Sequence, residues 1–353
     1  VLASVLGFIT LLYIGRTVLV PVAFSVLIAF ILYPICYWLE SKGLSRLWAI
    51  LWTMLGVVIL ISGVAIGFSA QIINIVKEFG SFSERLNEIL LGVTNFLNEK
   101  ITIIPEISKD SLINMGVQWF SSNTGGMLTN TLNNTALFIT GLTLTVIYTF
   151  LILLYRSSFT KAVVSFAEGS NQQELTKMIQ QVQKVGQQYL TGMFLLIVIL
   201  GVLNSLGLFI IGIEYALFFG FLAAFLAIIP YIGTTLGGAI PAIYALMHYD
   251  SLWYPLGVII TFWLIQLLEG NFLSPKIVGG NLNLNALAAI LALISGGLIW
   301  GIPGMVLFLP YTAVFMVICN HFNELKPVGM LLKDEVNTES SGKSLISKIK
   351  NLF

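Results

Sequence analysis

Ile228-Ile229-Pro230-Tyr231-Ile232-Gly233 falls near the middle of the apolar run from Tyr215 to Met247. A proline inside a helix removes one amide donor and crowds the preceding turn, so the helix is expected to break there and free the carbonyl groups near Leu226. Gly233, Gly237 and Gly238 then let the chain bend or let another backbone approach closely. A second break, Ser295-Gly296-Gly297-Leu298-Ile299-Trp300-Gly301-Ile302-Pro303-Gly304-Met305, interrupts the apolar run from Leu287 to Cys319. Broken helices at membrane depth are tolerated where the backbone lines a cavity or packs against protein. Two such breaks therefore predict a translocation site within the bilayer.

Composition supports that setting. Hydrophobic residues make up 57% of the chain and charged residues 9%, whereas a soluble domain carries roughly 25% charge. A net charge of +1 gives no electrostatic support for a nucleic-acid partner. Cys36 and Cys319 lie in or beside apolar spans and read as small core residues rather than a disulfide, and no metal-ligand spacing surrounds His248 or His321. Val1 opens inside an apolar run rather than at a methionine, so native residues are expected before it. No basic region or small-residue cleavage site marks that run as a signal peptide.

The hydropathy pattern predicts an all-α polytopic membrane protein with about eight transmembrane segments, two late ones broken by proline and glycine, and an extracytoplasmic helical insert. Residues 1–73 hold three membrane segments, in which Gly63 and Gly67 share a face suited to close helix contact. Residues 74–134 form the polar insert, where Ile75, Phe79, Phe82, Leu86, Ile89, Val93 and Leu97 write an amphipathic helix. That face packs against the insert's own second half or against another subunit, and homo-oligomerisation is expected. Residues 135–155 are a fourth membrane segment, and 156–190 a cytoplasmic amphipathic region lying along the membrane surface. Residues 191–319 carry the last four segments and the expected transport site, and 320–353 form a cytoplasmic tail.

Lys42, Arg46, Arg156, Lys161, Lys177, Lys184, Lys326 and Lys333 fall in loops that eight spans put on one side, marking it as cytoplasmic. Both termini are expected there, in a multi-pass protein of a bacterial cell membrane.

Glu269 lies inside the apolar run from Tyr254 to Phe272, three residues after Gln266 on the same helical face. A carboxylate in hydrocarbon must be neutral, paired or turned to a wet path. It reads either as a structural clasp between helices or as a solute or proton site, with Lys276 its prospective partner two turns on and Asn271 a nearby donor. The candidate transport residues are Pro230, Tyr231, Gly233, Thr234, Gln266, Glu269, Asn271, Lys276, Gly297, Gly301, Pro303 and Gly304. Glu214 reads as an interfacial residue, His248 and Asp250 as a short exposed loop or a proton relay, and the stretch from Gly279 to Asn285 either offers its amides to solute at the cavity mouth or caps the last span at Asn285. No nucleophile has an identifiable base partner and no phosphate-binding glycine loop is present, so an enzyme is not expected. No cofactor is expected either; Na⁺ or H⁺ would be transported or coupling ions. The remaining alternative is a membrane scaffold or signalling protein, which leaves both breaks without a role.

Ile229-Pro230-Tyr231-Ile232-Gly233, the Gln266 to Lys276 segment with Glu269-Gly270-Asn271-Phe272-Leu273 and Pro275, and Gly296-Gly297 followed by Trp300-Gly301-Ile302-Pro303-Gly304-Met305 resemble the signature blocks of the AI-2E family of bacterial membrane proteins. The resemblance covers nearly the whole chain, with Thr234 where the family pattern usually has proline. It implies transport of a small polar solute, most simply export of the furanone autoinducer-2. Other members are described as Na⁺(Li⁺)/H⁺ antiporters, which would assign the exchanging carboxylate to Glu269.

Overall fold

A computed structural model describes residues 2–78, 138–165, 171–229, 232–274, 276–277 and 284–334. Helix α1 is Leu2–Ile14, α2 Arg16–Ser41, α3 Arg46–Glu78, α4 Phe138–Ser165 and α5 Asn171–Ile211. Helices α6 (Ala216–Leu226), α7 (Ile232–His248) and α8 (Trp253–Leu268) follow, and α8 runs into a π turn at Glu269–Leu273. The described chain closes with α9 (Ala286–Trp300), α10 (Ile302–His321), a short 3-10 turn at Asn323–Leu325 and α11 (Lys326–Leu332). Of the insert helix expected from Ile75 to Leu97, Ile75 belongs to the end of α3, and Phe79 to Leu97 lie outside the described residues.

Six of the described helices are long and apolar enough to cross a membrane: α2, α3, α4, α5, α8 with its π turn, and α10. Helices α6 and α9, of 11 and 15 residues, are not. At 1.5 Å per residue α6 is about 17 Å long, against a hydrocarbon core of about 30 Å.

The apolar run from Tyr215 to Met247 is therefore a hairpin rather than a bent span. A Cβ placed on Gly237 would lie 2.9 Å from the Ala223 side chain, and one on Gly233 would collide with the Leu226 and Ala227 backbone. Residues 223 and 237 stand side by side only if the chain reverses between Leu226 and Ile232. The second break behaves likewise, because Gly296 packs against the Gly304 backbone. At the start of α9, the Asn285 amide donates to the Leu332 carbonyl of α11 at 2.9 Å.

A third reversal, at Gly212 with φ +89°, folds α6 back along α5. There Gly220 fits against Ser205 and Gly201 against the Phe221 ring. Leu208, Ile213, Phe218, Phe219, Tyr244 and Val258 form the apolar core that joins α5, α6, α7 and α8. A smaller core of Ala29, Leu32, Cys36, Ile50 and Leu153 joins α2 to α3 and α4. Cys36 and Cys319 are both buried free thiols.

Two sequence expectations change. Residues 171–211 form one helix of 41 residues, so the amphipathic stretch before residue 190 continues into the fifth span instead of forming a separate surface-lying element. Its polar residues are good helix formers and no proline separates the halves. Met178 and Tyr189 are buried, and Gly186 faces the Phe30 ring of α2, so the apolar side meets protein. Conversely, Gly63 and Gly67 face open space, and no described helix uses that glycine face.

Candidate functional site

A cavity of about 20 Å³ opens at the tip of the α6–α7 hairpin. Leu200 and Asn204 of α5 line it, with Ala223 and Ala227 beneath, Gly233 at the start of α7, and Phe262, Ile265, Gln266 and Glu269 along α8. A water molecule needs roughly 10–15 Å³ of free space, so the cavity takes one small occupant as it stands. Four chain segments meet here because glycine and alanine let the hairpin pass close to its own backbone and to α5.

The sequence pattern anticipates Gly233, Gln266 and Glu269, and the fold brings these three to one cavity. Glu269 is half-buried and opens the π turn, in which the Ser274 amide reaches back five residues to the Glu269 carbonyl. Such turns widen a helix locally and recur at functional sites. The Asn271 side-chain amide donates to the Leu267 carbonyl at 2.9 Å, which makes this residue a support of the turn rather than a wall of the cavity.

Other expected participants stand elsewhere. The carbonyl expected to be freed near Leu226 accepts from the Ile229 amide at 2.9 Å, because the chain tightens as it turns. Lys276 is exposed, and among the described residues no ion pair joins it to Glu269. Gly297, Gly301, Pro303 and Gly304 form the tip of the α9–α10 hairpin and do not line the cavity. That tip is held against α1, where the Trp300 indole donates to the Leu12 carbonyl at 2.9 Å. Gly301 has φ +65°, which favours glycine at the reversal. Pro230 and Tyr231 lie outside the described residues, as does the side chain of Thr234.

The sequence pattern does not single out Asn204. It is 5% exposed, and its side-chain oxygen has no hydrogen-bond partner among the described residues. The available signal is a lone amide inside the apolar run from Thr191 to Ile213, since polar groups in a span are costly.

The open end of the α6–α7 hairpin is clasped by polar and aromatic groups. The Tyr249 hydroxyl donates to the Gly212 carbonyl and accepts from the Glu214 amide, each at 3.0 Å. His248 Nε2 lies 3.5 Å from Glu214 Oε2, and the Tyr249 ring stacks on Tyr254 at 4.1 Å. The segment expected as a plain exposed loop thus ties two chain reversals together. Tyr249→Phe keeps the stacking but loses both hydroxyl bonds. It is expected to cost about 1 kcal/mol, measured as a lowered thermal midpoint in detergent. An unchanged midpoint would show that the clasp rests on ring stacking alone.

Asn285 caps α9 as expected, accepting from the Ala288 amide at 2.8 Å. Its amide group also donates to the Leu331 carbonyl at 2.6 Å, tying the start of α9 to α11.

The sequence profile described as AI-2E family transporter matches residues 2–324. YrrI of Bacillus subtilis, a provisionally named transport protein, is 28% identical over 323 residues, 88% of each chain. YueF of the same organism, also provisionally named for transport, is 33% identical over 208 residues, 58% of this chain and 56% of its own. The AI-2 transport protein TqsA of Escherichia coli is 34% identical over 122 residues, 35% of each chain.

Proposed function

Because the chain belongs to the AI-2E transporter family, we propose that this membrane transporter moves a small polar solute, most simply autoinducer-2, through the cavity at the tip of the α6–α7 hairpin. The observation that carries this reading is the convergence of Asn204, Gln266 and Glu269 from two helices on one water-sized space. Three polar side chains set among Leu200, Phe262 and Ile265 can hold the hydroxyl groups of a compact solute while the apolar walls cover its carbon skeleton. The likeness to TqsA, a protein named for AI-2 transport, supports the cargo assignment. A solute of furanone size needs α8 to move away from α5 and the hairpin, which stay packed together, since the present space admits one water-sized group.

The hairpins also support a topology. Helices α6 and α7 enter and leave the membrane on the outer face, and α9 and α10 on the inner face. Lys276 then joins Lys42, Arg46, Arg156, Lys326 and Lys333 on the side that basic residues mark as cytoplasmic. The tail that follows α11 is cytoplasmic as well. Exposed apolar side chains on α3, on α8 and in the π turn, among them Ile59, Ile66, Trp263 and Phe272, face lipid or a second copy of the chain.

The cavity's size favours a second reading, exchange of a monovalent cation for a proton at Glu269. One experiment separates the two. Purified protein in proteoliposomes is assayed for uptake of labelled autoinducer-2 and, in parallel, for a Na⁺- or Li⁺-driven pH change. Furanone flux without a cation-driven pH change is the expected result. The reverse pattern selects the antiport reading, and neither activity removes both cargo assignments.

A further inference from the structure

Among the described residues the buried hydroxyls follow one rule and Asn204 departs from it; the other unpaired buried atoms, Glu40 Oε1 and Arg156 Nη1, belong to side chains that pair with each other through their second oxygen and nitrogen. Ser25 donates to the Pro21 and Thr145 carbonyls, Thr53 to Ala49 and Thr149 to Thr145. Ser205, adjacent to Asn204, points to the Leu217 carbonyl at 3.5 Å. Each hydroxyl is satisfied by backbone, as a polar group inside a membrane protein requires. Asn204 is as deeply buried as these, yet its oxygen accepts nothing among the described residues and the residue lines the cavity opposite Glu269's helix.

The orientation of this residue is enforced by packing. Gly220 sits so close to Ser205 that no Cβ fits between them, which fixes the rotation of α5 against α6. Leu200 and Asn204, one helical turn apart, are thereby presented together to the cavity. A leucine side chain carries the same number of heavy atoms as asparagine and would fill this position without an orphaned acceptor. A buried acceptor left without a donor is destabilising, so the residue is poorly explained as a structural one.

We propose that Asn204 is the specificity-determining residue of the cavity, its side-chain oxygen the fixed acceptor that requires a hydrogen-bond donor from the cargo. This rests on the reading of the cavity as the transport site. A solute hydroxyl completes the acceptor, whereas an analogue lacking that hydroxyl leaves it buried and unpaired, which is how a preformed polar site rejects the wrong ligand. Asn204 and Glu269 play different parts in this. The amide oxygen accepts whatever the protonation state of the site, while the carboxylate offers all its oxygens as acceptors only when ionised.

The test uses full-length wild-type protein, Asn204→Leu and Asn204→Asp in proteoliposomes, with labelled autoinducer-2 as the probe and thermal unfolding of each protein in detergent as a second arm. Asn204→Leu is expected to raise the KM for uptake roughly 10- to 100-fold. Its thermal midpoint should equal or exceed that of the wild type. Asn204→Asp, which keeps an acceptor at the same position, should retain most of the affinity. An unchanged KM in Asn204→Leu overturns the proposal, and so does a lowered midpoint, the mark of a structural role. Absence of uptake by the wild type defeats the cargo reading by itself. The thermal arm then decides alone: a midpoint at or above wild type upholds an unmatched acceptor, and a lower one overturns it.

Discussion

Glu269→Gln is expected to cut transport roughly 10- to 100-fold while leaving the thermal midpoint unchanged. The carboxylate opens the π turn after α8, lies half-buried beside Gln266, and has no ion pair among the described residues. Glutamine keeps its shape and one acceptor but cannot carry charge. A hydrogen bond to a charged group is worth about 1.5–3 kcal/mol, which sets the size of the loss if the cargo is a neutral hydroxylated solute. If the protein exchanges a cation for a proton, the loss is complete, because glutamine cannot release a proton. Flux from proteoliposomes bearing each variant measures both, and equal flux removes Glu269 from the mechanism.

Gly304→Val is expected to have the largest effect on the fold. The new Cβ would run into the Gly296 carbonyl and lie 3.0 Å from the Trp300 side chain. The main obstacle is backbone, so it cannot swing aside, and the α9–α10 hairpin must open at its tip. Overpacking of this kind costs about 1–3 kcal/mol, and a backbone obstacle puts this case at the upper end. Trp300 would also lose its hold on the Leu12 carbonyl, releasing α1 from the hairpin. Gly67→Ala is the matched control. It lies in the interior of α3 with open space beside it, and alanine there should stabilise the helix by about 1 kcal/mol. Thermal unfolding in detergent compares the two, and a midpoint for Gly304→Val equal to wild type would contradict the tight reversal.

What could be read from the sequence and what could not differ in physical kind. Hydropathy locates the membrane helices because lipid imposes a local rule on each segment. The two proline and glycine breaks are legible for the same reason, since each disturbs its own helix. Whether a break kinks a span or reverses it depends on what packs across it. Pro230 and Gly233 are compatible with either outcome until Gly237 meets Ala223. The length of α5 is hidden by the change from polar to apolar faces near residue 190, although nothing there stops a helix.

The candidate site shows a similar division. Glu269 and Gln266 stand out because carboxylates and amides are rare in apolar runs, and their spacing puts them on one face. Asn204 carries the same signal, yet nothing local distinguishes an asparagine that faces a cavity from one that binds a neighbouring carbonyl. Asn271 is the counterexample: the same residue type, close to Glu269 in the chain, spends its amide on Leu267. Lys276 stands at a partner's helical spacing from Glu269, but the π turn shifts the register between them. The two breaks look equivalent in sequence and differ in surroundings, one opening on polar side chains and the other closing on α1.

That last difference bears most directly on the central claim, that cargo binds at the α6–α7 tip. The measurement is a density map of the full-length protein in lipid nanodiscs with saturating autoinducer-2. Cargo density bounded by Asn204, Gly233, Gln266 and Glu269 is the predicted result. Density instead against Trp300, Gly301 and α1, with none between Asn204 and Glu269, would contradict it.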